Sequence, residues 1–228
     1  MEDINLKKYL LVVAHPDDEI LGAGATIFDL VRKGHQIAVC CLCSKCDTRY
    51  DNLLEGMKKS YDILGVSKFF IGKWGCLKLK DADHLELVQF VEKAMTQFEP
   101  DVMITHHPSD LNNDHYIASI ICHEAARLPQ RSIGYSKRLE SILAMEVPSE
   151  TDWHFNPAWD TFKPNTYQSV SSEALEAKIK ALSVYQDVIR PAPHPRSPEI
   201  LRALAAVRGS ESGNHYAEAF QSIFRLGV

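Results

Sequence analysis

The 228-residue sequence predicts an α/β fold: a Rossmann-like, mostly parallel sheet with helices on both faces. Two observations carry this reading. Short apolar runs alternate with longer segments of helical spacing. Two polar clusters, His15 to Glu19 and His106 to His115, each follow the end of an apolar run, so both fall on the carboxyl edge of the sheet, where such folds bind ligands.

The elements follow in order. Tyr9 to Ala14 is a short buried strand. Ile20, Ile27 and Val31 lie on one side of a helix from Ile20 to Val31, and Gly34 falls near the position of a C′ glycine. Gln36 to Cys43 is a second strand, and Tyr50 to Leu64 a helix closed by Gly65. Phe69 to Ile71 is a third strand, and Leu85 to Phe98 a helix ended by Pro100. Asp101 to Thr105 is a fourth strand, and His115 to Leu128 a helix. After Arg131 the pattern weakens. Ser141 to Val147 reads as a strand, Trp153 to Pro164 as an aromatic, proline-containing loop and Ala174 to Val188 as a helix. Pro191 to Pro195 is extended, because each proline disfavours helix in the residue before it, and Pro198 to Arg208 is a final helix. Residues 1–228 read as one domain, with approximately 131–228 as its C-terminal elaboration.

Composition narrows the function. With 25 basic and 30 acidic residues the net charge is −5, and no basic stripe offers a nucleic-acid surface. No apolar run approaches the roughly 20 residues of a membrane span. Tyr9 to Ala14 is too short for a signal core and is cut off by Pro16-Asp17-Asp18-Glu19, so a cytoplasmic location is expected. In that reducing setting the six cysteines are expected as free thiols. Cys43 and Cys46 have CxxC spacing, but no second pair exists to complete a zinc site, and a buried strand accounts for them.

The chemistry concentrates in Ala14-His15-Pro16-Asp17-Asp18-Glu19. His15 and Asp18 offer one nitrogen and one oxygen donor on a tight turn, a mixture zinc accepts. Asp17 between them is placed to accept a proton from an activated water. A third ligand is wanted from the second cluster, where His106, His107 and His115 compete. Asp110, Asn112 and Asn113 serve equally well as loop and cap residues, and Asp114 is placed to orient a neighbour. His194, between two prolines, lies on a stiff segment.

These residues resemble the LmbE/PIG-L family of zinc-dependent N-deacetylases. Ala14 to Glu19 is similar to its signature, His107-Pro108-Ser109-Asp110 to Asp114-His115 to its second metal-binding segment, and Pro193-His194-Pro195-Arg196-Ser197, Arg208-Gly209 and Tyr216 to Phe220 to one bacterial branch. The resemblance implies a Rossmann-like fold, one Zn2+ per chain held by His15, Asp18 and His115, and Asp17 as general base. It implies hydrolysis of an acetamido group on a sugar or sugar-like substrate; the expected substrate is an N-acetylated sugar, a nucleotide-activated one included, in glycan or natural-product assembly. Many members carry a histidine where this chain has Asn112, which makes His194 the substitute for oxyanion contact and amine protonation, with Asp110 or Asp114 holding its other nitrogen. Arg49, Asp110, Asn112, Asp114 and Arg196 are the expected substrate contacts. Arg49, Arg190, Arg196 and Arg208 suit a phosphate, and the aromatic loop with Trp153, His154, Phe155 and Trp159 suits a sugar or base. The partner is thus a small molecule, and a homo-oligomer is compatible. The rivals are an esterase or amidase for another small substrate, and a non-catalytic sugar- or nucleotide-binding domain.

Overall fold

The computed structural model describes every residue except 1–4, 46–52, 133, 134, 136, 156–160, 186 and 228. Its strands are β1 (Lys8–Val13), β2 (Gln36–Lys45), β3 (Lys68–Gly75), β4 (Val102–His106), β5 (Ser141–Met145), β6 (Thr166–Ser169) and β7 (Ala217–Arg225). They form one sheet in the order β3-β2-β1-β4-β5-β7-β6. The first five are parallel, whereas β7 runs antiparallel to both β5 and β6. From β1 the chain winds out through β2 to β3, then returns to place β4 on the other side of β1. The carboxyl ends of β1 and β4 therefore flank a topological switch point.

The helices are α1 (Asp18–Arg32), α2 (Leu53–Leu64), α3 (His84–Phe98), α4 (Asn113–Ala125), α5 (Leu128–Arg131), α6 (Ser172–Leu182) and α7 (Pro198–Ser212). A central strand with both faces covered must be apolar throughout rather than alternating, which explains the unbroken run of β1. Leu11 and Val13 enter one core with Met57, Tyr61, Leu64, Ile179 and Leu182. Leu10, Val12 and Ala14 enter the other with Leu87, Val91, Ile121 and Cys122. Asp83, Asn112, Ser171 and Ser197 cap α3, α4, α6 and α7 by accepting backbone N–H groups.

Helix α1 is broken at Ala23, where φ is −143°. Glu218 of β7 accepts the N–H groups of Ala25 and Thr26 at 3.2 and 2.7 Å just beyond the break. The same carboxylate binds buried Lys178 Nζ at 2.6 Å.

Three expectations are corrected. Strands β6 and β7 were not foreseen, because Ala217-Glu218-Ala219-Phe220 is buried without alternation and contains a charge. Helix α6 stops at Leu182 rather than Val188: Ser183 Oγ bonds back to the Ile179 carbonyl, and Asp187 has φ 60°. Cys40, Cys41, Cys43 and Cys122 are buried thiols, but Cys76 is disulfide-bonded, and a cysteine count does not reveal pairing. Cys46, Arg49 and Trp159 lie outside the described residues. Among the described residues, no helix is long and apolar enough to cross a membrane.

Candidate metal centre

The turn after β1 is held tightly. Asp17 adopts φ 112°, a left-handed conformation that is strained for a non-glycine residue. Glu19 Oε2 accepts the Asp17 N–H at 3.2 Å, while the Asp17 carbonyl accepts the N–H groups of Ile20 and Leu21 at 3.0 and 2.8 Å. Asp17 and Asp18 are both buried as a result.

His15, Asp18 and His115 each bring one ligand atom into a group whose members lie within 4.8 Å of one another. Asp18 Oδ2 is 3.3 Å from His15 Nδ1 and 3.3 Å from His115 Nε2. The far nitrogen of each ring is held by a carboxylate: His15 Nε2 by Asp114 Oδ2 at 3.0 Å, and His115 Nδ1 by Asp110 Oδ2 at 3.0 Å. Such outer partners fix ring orientation and tautomer in metal sites. Two imidazoles and one carboxylate oxygen, with both rings anchored from behind, form a donor set that fits a zinc-like divalent cation.

The electrostatics agree with a site built for positive charge. Burial works against charge on His15, yet its hydrogen bonds to Asp114 and Asp18 outweigh it and raise the pKa to about 9. For His115, burial is outweighed by Asp18 and by the hydrogen bond to Asp110, and the pKa rises to about 10. Asp17 is pushed up to about 7, first by burial and then by the neighbouring Asp18 carboxylate. Glu19 rises to about 8, chiefly through burial.

Of the three competing histidines, the structure brings His115 to His15 and Asp18. His106 stacks on His115 with ring centroids 3.9 Å apart, but its Nε2 accepts the Ala14 N–H at 2.9 Å and so ties β1 to β4. His107 is turned to Ser109 and Phe162. Asp110 and Asp114, expected as substrate contacts, stand behind the His115 and His15 rings. Both carboxylates are buried, Asp114 also accepts the N–H groups of Leu77 and Leu79, and Asp110 Oδ1 accepts the Thr151 hydroxyl at 2.7 Å. Asn112 caps α4, its Oδ1 accepting the Asp114 N–H.

Arg196 does reach the site, but as part of its wall. Its Nη1 is 3.8 Å from Asp17 Oδ2, while Nε donates to Ser149 Oγ at 2.9 Å and Nη2 to Glu150 Oε1 at 3.2 Å. Arg208 is engaged by Glu146 and Glu211. Arg190 is exposed. His194 accepts the Arg196 N–H on Nδ1 and meets the Trp153 ring edge-on at 5.4 Å. Its expected partners Asp110 and Asp114 are occupied elsewhere. Burial, Arg196 and Arg190 lower its pKa, against an opposing effect of Asp152. The sequence reading weighed His106 only as a ligand and missed Thr151, Ser149 and Glu150. For His106 the signal was its position at the end of β4, but the other three carried none.

The mostly parallel sheet and the His–Asp–His cluster at its switch point define an α/β protein with a group of side chains that could hold a metal ion. Residues 10–126 match the model of the GlcNAc-PI de-N-acetylase family, PIG-L, and the chain belongs to this family of N-deacetylases. It is 27% identical over 198 residues to the uncharacterized deacetylase YaiS of Escherichia coli (strain K12), covering 82% of this chain and 95% of that one. It is 25% identical over 237 residues to the diacetylchitobiose deacetylase of Thermococcus kodakarensis, covering 96% and 84%. Two solved structures share the fold. The N,N'-diacetylchitobiose deacetylase of Pyrococcus horikoshii has a TM-score of 0.74 at 21% identity, over 96% of this chain and 84% of that one. GalB, the 4-carboxy-2-hydroxymuconate hydratase of Pseudomonas putida KT2440, has 0.76 at 21%, over 98% of each.

Proposed function

We propose that this N-deacetylase is zinc-dependent and removes the acetyl group from an acetamido sugar, free or nucleotide-activated. The observation that carries the reading is the convergence of His15, Asp18 and His115 within 4.8 Å, each ring backed by its own carboxylate, beside a buried Asp17. Those three residues would hold the cation. When bound, it supplies a Lewis acid for the amide carbonyl and makes water acidic enough to attack at neutral pH.

The remaining work falls to the chain. Asp17 accepts the proton of the attacking water, and its strained backbone keeps that carboxylate beside the cluster without making it a ligand. Arg196 faces the Asp17 carboxylate and limits its rotation, so this arginine supports the base rather than the substrate. Breaking the C–N bond requires a proton on nitrogen, because an amide anion is a very poor leaving group. Protonated Asp17 returns that proton, or His194 donates one. Burial of Asp17 excludes bulk water, which strengthens each of these interactions. Arg49 and the aromatic residues Trp153 and Phe155 stand as the substrate contacts in this reading.

Asp17→Asn tests it. The change keeps the shape and removes the basicity, so metal content is retained while acetate release falls about 100-fold or more. Loss of metal together with turnover would make Asp17 a ligand. The assay is acetate release from a panel of acetamido sugars and sugar nucleotides. Turnover of esters alone would favour the esterase alternative, and tight sugar binding without turnover the binding-domain alternative.

A further inference from the structure

The turn that follows β5, Val147 to Asp152, carries none of the residues assigned above to the cation or to the base, yet it is tied to both. Its backbone closes through the N–H groups of Glu150 and Thr151 on the Val147 carbonyl at 3.1 and 2.9 Å. Ser149 has φ 73°, a left-handed conformation that Asp17 also adopts at this edge of the sheet. The Leu111 N–H donates to the Glu150 carbonyl at 3.1 Å, which fastens the turn to the loop carrying Asp110.

Thr151 stands at the centre of these ties. Its Oγ1 accepts the Val147 N–H at 2.8 Å. A hydroxyl has one hydrogen to donate, and here it goes to Asp110 Oδ1 at 2.7 Å. Asp110 Oδ2 in turn holds His115 Nδ1 at 3.0 Å. Thr151, Asp110 and His115 thus form a relay of orientation from a backbone turn to an imidazole. Without the hydroxyl, Oδ1 would be a buried carboxylate oxygen missing its donor, and the carboxylate would be free to rotate away from the ring.

We propose that Thr151 is a positioning residue for the metal centre: its hydroxyl fixes Asp110 and, through Asp110, the imidazole of His115. This inference rests on the reading of His115 as a metal ligand. It assigns to a residue outside both metal-bearing segments a share of the metal affinity, as outer partners of ligand histidines commonly have.

The experiment compares Thr151→Val, Thr151→Ser and His115→Ala by zinc competition against a chromophoric chelator, steady-state kinetics and thermal melting. Thr151→Val replaces the hydroxyl by a methyl of similar size. It is expected to bind zinc about 10-fold more weakly and to lower kcat with KM little changed, at a Tm that the two lost hydrogen bonds lower but that stays well above the assay temperature. Thr151→Ser keeps the donor and is expected to restore both values. Zinc affinity unchanged in Thr151→Val overturns the proposal. So does a Thr151→Ser variant as weak as the valine, or a fall in Tm that accounts for the lost zinc. His115→Ala separates this inference from the ligand reading. If it keeps full zinc affinity, the ligand reading fails. If it loses zinc while Thr151→Val does not, only the Thr151 relay fails.

Discussion

The two sides of the sheet serve the centre in different ways. The side bearing β1 and β4 delivers donors directly: His15 and Asp18 follow β1, and His115 opens the helix after β4. The side bearing β5, β7 and β6 delivers no donor to this triad. It supplies the groups behind it, with Thr151 on Asp110, Ser149 and Glu150 on Arg196, and Glu218 on the backbone of α1. A donor has to be of a particular chemical type at a rigid position, so it leaves a motif. A supporting group need only present a hydrogen bond at the right place, and many residue types and spacings do that.

The sharpest way to break this division is to remove donors. His15→Ala, Asp18→Ala and His115→Ala are each expected to abolish stoichiometric metal and reduce acetate release to background. Full metal by elemental analysis in all three variants would place the centre elsewhere. A smaller effect is expected from the other side of the molecule. His194→Gln should lower turnover about 10²–10⁴-fold if the imidazole protonates the leaving amine, with metal content and Tm little changed. Turnover within a few-fold of wild type would leave His194 only its packing against Trp153. The smallest effect on chemistry, and the clearest on stability, belongs to Glu218→Gln. Lys178 would then be a buried cation without its anion, at a cost of about 3–5 kcal/mol. The melting temperature should fall markedly, while activity at low temperature stays close to wild type. Adding Lys178→Met should recover much of the loss, and an unchanged Tm in the single variant would show the pair to be dispensable.

The same division explains what could be read before the structure. The strands from Tyr9 to Thr105 are short apolar runs closed by glycine, proline or polar clusters, and they fall where the alternation placed them. Asp17 and Asp18 are conspicuous because they stand with His15 on a tight turn at a strand end, a placement that a helix N-terminus alone does not explain. The role of Asp110 was not legible, since an aspartate in a loop of serine, asparagine and proline has a sufficient explanation as a turn former. Thr151 and Arg196 met the same difficulty, because only the pairing of β5 with β4 brings the turn after β5 against the loop after β4. Strand β7 was hidden by its own role: a strand that buries a glutamate against a helix break does not alternate.

That glutamate also sets an order of events during synthesis. β7 leaves the ribosome after β5 and β6, yet it lies between them in the sheet. Until it arrives, a nascent chain already holds every proposed metal ligand, but the two N–H groups of Ala25 and Thr26 lack their acceptor and Lys178 lacks its counter-charge. The turn at His15 is thus made before the strand that braces its helix, and the support of α1 waits on β7 however early the donors emerge.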